Sequence, residues 1–168
     1  MIEPVTALLT ALGATALLAV LFWPVQGLFW RVLRSAGATG RVATEDALKH
    51  LHDCEYRGRR ADLQSLSGAL EIPGNHAADL AARLDARGLV ATVGQDLVLT
   101  EEGRRYALRV IRTHRLWEHY LAAHTGVAEA DWHREADLRE HSLSEDQVAN
   151  LAARLGNPRF DPHGDPIP

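Results

Sequence analysis

The first hydrophobic run, VTALLTALGATALLAVLFW at residues 5–23, carries no charge. A helix needs about 20 apolar residues to cross a bilayer, so this run predicts one transmembrane helix. Phe22, Trp23, Phe29 and Trp30 stand where an interfacial aromatic belt lies. Pro24 and Gly27 break the apolar run at its exit. A signal peptide is the competing reading. It needs a basic leader and a small-residue cleavage site, whereas this leader is Met-Ile-Glu-Pro and the exit is bulky. An uncleaved anchor over residues 1–34, including its basic exit, is therefore expected. A linker, SAGATGR at 35–41, follows.

Beyond residue 42 the apolar spacing turns helical. Thr44 caps a helix over about 45–55, with Ala47, Leu48, Leu51 and Cys54 on its apolar face. Arg57 to Arg60 reads as a charged loop and 61–70 as a second helix. Pro73-Gly74 makes a tight turn, Asn75 caps a third helix through Arg87, and Gly88 ends it. LVATVGQDLVLT holds two short β-rich runs around Gly94-Gln95, a hairpin. A long helix then runs from Thr100 to about His124, a further one over about 128–141, and another from Ser144 to Gly156. Leu143, Val148, Leu151 and Leu155 form an apolar stripe that reads as a dimer core. The order helix, turn, helix, β-wing is that of a winged helix-turn-helix over 42–100, a module that places its second motif helix in the major groove of DNA. The fold class expected is mainly α: this module, an α-helical domain over 101–168 ending in a proline-rich tail, and the N-terminal anchor.

Charge orients the chain. Arg31, Arg34 and Arg41 follow the span and Glu3 precedes it, which puts the rest of the chain in the cytoplasm, attached to the inner membrane by a single pass. The single cysteine agrees with a reducing compartment. The net charge of -4 gives no bulk signature of nucleic-acid binding, though a local basic patch is compatible with it. No Ser-His-Asp or Cys-His signature and no glycine-rich phosphate loop occurs, so no catalytic function is expected.

Histidine changes the picture. Of nine in the chain, His114, His119, His124, His133 and His141 crowd into one window. Within it, HREADLREH at 133–141 puts His133, Asp137, Glu140 and His141 on one helical stripe, while Leu138 belongs to a packing side. His114 and Glu118 share another face at i, i+4. Spacing alone leaves two readings open, a metal site and a salt-laced surface helix in which Arg134 and Arg139 pair with the acids. Carboxylates with imidazoles and no thiolate suit Mn(II) or Fe(II), and Zn(II) would bind too.

LTEEGRRYALRVIRTHRLWEHYL (99–121), HREADLREHSLSEDQVANLAARLGNP (133–158) and FDPHGDPIP (160–168) resemble the diphtheria-toxin-repressor and manganese-transport-regulator family. The match runs from about Val42 to the C-terminus. The resemblance implies a homodimeric, metal-activated transcriptional repressor that binds operator DNA. It implies core metal ligands at Asp137, Glu140 and His141, joined by Asp46 from the DNA-binding domain, and an ancillary site at His114, Glu118 and His133. Metal held between the two domains would fix their relative orientation. Lys49 stands where the manganese branch has a second carboxylate, and a charged ammonium cannot ligate. That favours an iron-type ancillary arrangement or one metal per subunit. In the recognition helix Asn75, His76 and Arg83 are the candidate DNA contacts, with Arg57, Arg59 and Arg60 for phosphates. Ala77 and Ala78 occupy a stretch where relatives carry hydroxyls, and Asp79 is unfavourable near phosphate. LFWPVQGLFWRVLR (21–34) looks similar to the last span and exit of metal ABC-transporter permeases. That similarity implies a rival: a tethered metal-sensing module that regulates such a permease by protein contact.

Overall fold

A computed structural model describes the backbone of residues 28–168 and the side chains from residue 40 onward. The predicted span at 5–23 lies outside the described residues. Among those described, no helix is long and apolar enough to cross a membrane. The chain divides into two compact units, residues 1–41 and 42–168, and the fold and site lie in the second.

Helix α1 (Leu28–Tyr56) differs from expectation. It runs straight through 35–41, where a linker is predicted, and leaves no N-cap at Thr44. Nothing in SAGATGR forbids helix: there is no proline, and each glycine costs only about 1 kcal/mol. Thr44 is buried, and its hydroxyl accepts from Arg87 Nη1 at 3.5 Å. Helix α2 (Leu63–Ala69) is capped by Asp62, whose carboxylate accepts from Ser65 N. Helix α3 (Gly74–Ala86) starts one residue before the expected cap. Pro73 holds the cap position, where its missing N–H is harmless, so Asn75 lies in the first turn.

Gly88 ends α3 with φ +67°, a left-handed conformation that glycine adopts without strain. Strands β1 (Val90–Val93) and β2 (Asp96–Leu99) then pair antiparallel, Val90 against Leu99 and Val93 against Asp96. Gly94, at φ +66°, makes their turn. Leu97 N donates to Ala61 O at 2.7 Å, which ties the hairpin to the approach of α2. Leu48, Leu51, Leu66, Leu80, Leu84, Leu89 and Leu99 close one apolar core among α1, α2, α3 and the hairpin. Cys54 is buried in it, as its place on the apolar face of α1 predicts.

Helix α4 (Glu101–His124) leaves this core under a Thr100 cap. Thr100 Oγ1 accepts from Gly103 N and donates to Gly88 O, so the cap also fastens the end of α3. Helices α5 (Glu129–Glu140) and α6 (Glu145–Arg154) follow, the latter with a full Ser144–Gln147 capping box. Leu138, expected on a packing side, is 69% exposed. The stripe Leu143, Val148, Leu151 and Leu155 is half-buried within the single chain. The tail is more ordered than its prolines suggest. Phe160 bridges Pro166, and Arg112 and Arg115 donate to the carbonyls of Pro168 and Pro166. Asp161 is buried and accepts from the backbone N–H groups of His163 and Asp165, each at 2.9 Å.

Candidate metal centre

Three elements converge on the histidine-rich window. Helix α1 brings Glu45, Asp46 and Lys49. Helix α4 brings His114 and Glu118 one turn apart. Helix α5 brings His133, Asp137 and Glu140 along one stripe, with His141 at its C-cap.

Among the described residues, the ligand atoms fall into three groups, each within 4.8 Å: His114, Glu118 and His133; Asp46, Glu140 and His141; His114, Asp137 and Glu140. In the first, His114 Nε2, His133 Nδ1 and Glu118 Oε1 form a triangle with sides of 3.0, 3.1 and 3.1 Å. Donors about 2.1 Å from one ion at right angles to each other lie roughly 3 Å apart, so this triangle has the size of one face of a coordination shell. In the second, His141 Nε2 lies 3.3 Å from Asp46 Oδ1 and 3.5 Å from Glu140 Oε1. Both donor sets are carboxylate and imidazole, and both fit a divalent transition ion.

The third group differs. Lys49 Nζ donates to Asp137 Oδ1 at 3.0 Å and to Glu140 Oε1 and Oε2 at 2.8 and 3.0 Å. It also lies 3.5 Å from His114 Nδ1. A charged ammonium already satisfies these acceptors, and this group does not fit a metal. Asp137 therefore stands apart from Asp46 and His141, although the resemblance puts all of them with Glu140 in one core site.

Charge on the imidazoles follows from the crowding. Burial opposes protonation of His114, but hydrogen bonds to Asp137, Glu118 and Glu140 outweigh it and push His114 up to about 10. Burial likewise opposes protonation of His141, and Asp46, Glu45 and Glu140 outweigh it, pushing His141 up to about 9. Burial acts to raise Asp137, yet His114 and Lys49 hold its carboxyl well below the usual carboxylate range. Burial acts to raise Glu118 as well, and the His114 and His133 imidazoles hold it down. Lys49 is raised: Glu140 and Asp137 overcome its desolvation. Without metal, the site is a network of cations and anions in mutual compensation.

Sequence reasoning missed Glu45. It is buried, accepts from His141 Nδ1 at 2.6 Å and from the Tyr106 hydroxyl at 2.8 Å, and so orients the imidazole whose Nε2 faces Asp46. Only its adjacency to Asp46 hinted at this. His163, in the tail, brings its Nε2 to 3.9 Å from Glu118 Oε1.

The candidate DNA contacts lie elsewhere. Asn75, His76 and Arg83 are exposed on α3, while Ala77 turns into the core. The arginines expected to meet phosphates have partners of their own. Arg57 and Arg59 both pair with Asp53, at 2.7 and 2.6 Å, and Arg60 pairs with Asp96 at 2.6 Å. All three guanidinium groups are solvent-exposed, so these pairs hold them only weakly.

Residues 100–168 match the family described as iron dependent repressor, metal binding and dimerisation domain. The chain is similar to the iron-dependent repressor IdeR of Mycobacterium tuberculosis, 35% identical over 126 residues, covering 74% of this chain and 55% of that protein. It is also similar to a probable metal transport system membrane protein of Chlamydia trachomatis, 34% identical over 82 residues, 49% of this chain and 18% of that protein. Among solved structures, a manganese-dependent transcriptional repressor in complex with manganese superposes with a TM-score of 0.70 at 33% identity. That superposition covers 74% of this chain and 58% of that one. The chain spans about half the length of the repressors it matches. The helix-rich fold, with one small hairpin among the described residues, the joined carboxylate–imidazole groups and these similarities agree: residues 100–168 belong to the metal-binding and dimerisation domain family of iron-dependent repressors, and the chain is similar to the diphtheria-toxin-repressor proteins over 74% of its length.

Proposed function

We propose that the chain is a homodimeric, Mn(II)- or Fe(II)-dependent DNA-binding regulator that represses metal uptake. The observation that carries this reading is the Asp46–Glu140–His141 group. Asp46 belongs to the winged helix-turn-helix of residues 42–100, and Glu140 and His141 belong to the metal-binding and dimerisation domain of 101–168. A divalent ion supplies positive charge that offsets the carboxylates of both domains at once, and Zn(II) would bind there as well. The protein's own groups do the rest. Glu45 holds His141 so that Nε2 faces the site. Asp46 reaches across from α1, so ligation couples α1 to α5. His114, Glu118 and His133 form the ancillary site, on α4 and α5 alone. The half-buried stripe of Leu143, Val148, Leu151 and Leu155 supplies an apolar face for a second copy. Asn75, His76 and Arg83 would meet operator bases, and Arg57, Arg59 and Arg60 its phosphates.

Protons test the metal part of this reading. His114 and His141 are charged at neutral pH in the metal-free protein, and an imidazolium cannot ligate. Metal uptake must displace those protons, so affinity for Mn(II) rises with pH and uptake at pH 7 releases about one proton per imidazole engaged. Calorimetric titration of the full chain in buffers of different ionisation enthalpy reads that number. Uptake without proton release would mean that these histidines are not ligands.

The similarity to a metal transport system membrane protein, which covers 18% of that protein, motivates an alternative that the repressor similarities do not favour. In it, the same site senses metal, and the output is contact with a metal ABC-transporter permease. Co-purification with such a permease, combined with no DNA retention at saturating metal, would select this reading.

A further inference from the structure

Lys49 departs from the ligand chemistry around it, and its surroundings show why that matters. It projects from α1 into the space between α4 and α5, and only 23% of its side chain is exposed. The Glu140 side chain it meets is fully buried. Both oxygens of that carboxylate lie within 3.0 Å of the one ammonium. Asp137 Oδ1 accepts a further hydrogen bond from it, and His114 Nδ1 lies 3.5 Å away. An ammonium has three hydrogens and no acceptor, and here carboxylates on one face and an imidazole beside them surround it.

We propose that Lys49 is a tethered cation that closes the central His114–Asp137–Glu140 group against metal, leaving the two flanking groups as the only metal sites of the cluster. The three groups interlock through shared side chains. His114 offers Nε2 to the ancillary group and Nδ1 to the centre. Glu140 offers Oε1 toward His141 and Oε2 toward His114. An ion in the centre would sit against the ammonium, because both central carboxylates touch Nζ at 3.0 Å or less and the central imidazole lies 3.5 Å from it, whereas the Asp46–Glu140–His141 group shares only Glu140 with Lys49. Like charges at that distance exclude one another. An ordinary surface ion pair would be exposed and singly bonded. This one bonds a fully buried carboxylate through both oxygens, and it joins α1 to α5 without any metal. The metal-free protein therefore keeps part of the link that metal completes. The inference rests on the flanking groups being metal sites, and it makes Lys49 the residue that sets the metal count.

The test is metal analysis of the full chain after equilibrium dialysis against saturating Mn(II). Wild type is expected to hold no more than two ions per chain. Lys49→Met and Lys49→Gln, each checked for native helicity by circular dichroism, remove the ammonium and should each hold one more ion than wild type. Asp137 belongs only to the central group, so adding Asp137→Asn to either variant should return the count to that of wild type. Three ions in wild type would overturn the proposal whatever the variants do. So would variants that match the wild-type count, or an extra ion that survives loss of Asp137. A wild-type chain with no metal at all would instead refute the metal-dependent function. The difference between variant and wild type would still report on Lys49.

Discussion

Glu140→Gln is expected to lower Mn(II) affinity by roughly 100-fold or more and to abolish any metal response in DNA binding, while leaving the dimer folded. Perturbing groups that merely support a ligand typically costs 10- to 100-fold in metal affinity, and Glu140 itself offers a ligand atom in the Asp46–Glu140–His141 group. The amide is isosteric with the carboxylate and still fills the buried space. What it lacks is charge. One amide oxygen remains to accept, and the amide nitrogen turns a donor toward Lys49 Nζ or His114 Nδ1, both of which now face carboxylate oxygens. Apo stability therefore falls somewhat, but Glu140 is not a member of the apolar core among α1, α2, α3 and the hairpin. His141→Ala should act in the same direction on metal, since it removes the ligand that Glu45 orients. Metal titration and DNA binding, each measured on folded dimer by size-exclusion chromatography, check this. A normal metal response in Glu140→Gln would remove Glu140 from the site.

Gly103→Ala should be the most damaging small substitution in the fold. A Cβ at Gly103 would lie 1.9 Å from the carbonyl oxygen of Leu89 and 2.9 Å from its carbonyl carbon. Both atoms are backbone, so no side chain can swing aside. The Leu89 carbonyl accepts from Thr100 N, and Leu89 itself is held by a bond from its N–H to Leu84 O, so the strand entrance and the start of α4 would move together. Overpacking of this kind costs about 3 kcal/mol. The expected drop in melting temperature is roughly 10 °C for a unit of this size. Gly68→Ala is the control. Gly68 lies inside α2, and its added Cβ meets nothing within 4 Å. That change should stabilise by roughly 0.5–1 kcal/mol, because alanine loses less backbone entropy in a helix. Thermal denaturation of the metal-free protein measures both. An unchanged melting temperature for Gly103→Ala would contradict the close approach of α4 to Leu89.

Much of this was legible in the order of residues, and the failures have physical causes. Helical spacing alone put His133, Asp137 and Glu140 on one face and paired His114 with Glu118, because a local repeat determines both. The hairpin was legible from Gly94 between two β-rich runs. The role of Glu45 was not, since its partner His141 is 96 residues away and only the packing of α1 against α5 joins them. Lys49 was recognised as unable to ligate. Its insertion between Asp137 and Glu140 is a tertiary fact that no spacing encodes. The same limit explains Arg57, Arg59 and Arg60. A run of arginines reads as a phosphate patch until Asp53 and Asp96 are seen beside it. The continuity of α1 through 35–41 escaped because small residues without proline are compatible with both linker and helix. Leu138 looked like a packing residue by composition, and only the fold shows it facing outward.

The central claim is that ligation at Asp46, Glu140 and His141 couples the DNA-binding helices to the metal-binding domain. The most direct measurement is an anaerobic titration of the full chain with Mn(II), and in parallel Fe(II), reading bound metal and the affinity for labelled DNA from upstream of its own gene in the same samples. The account predicts that DNA affinity rises in step with metal occupancy, by about 10- to 100-fold, the range that a coupling between two sites usually supplies. Full metal occupancy with no change in DNA affinity would contradict it.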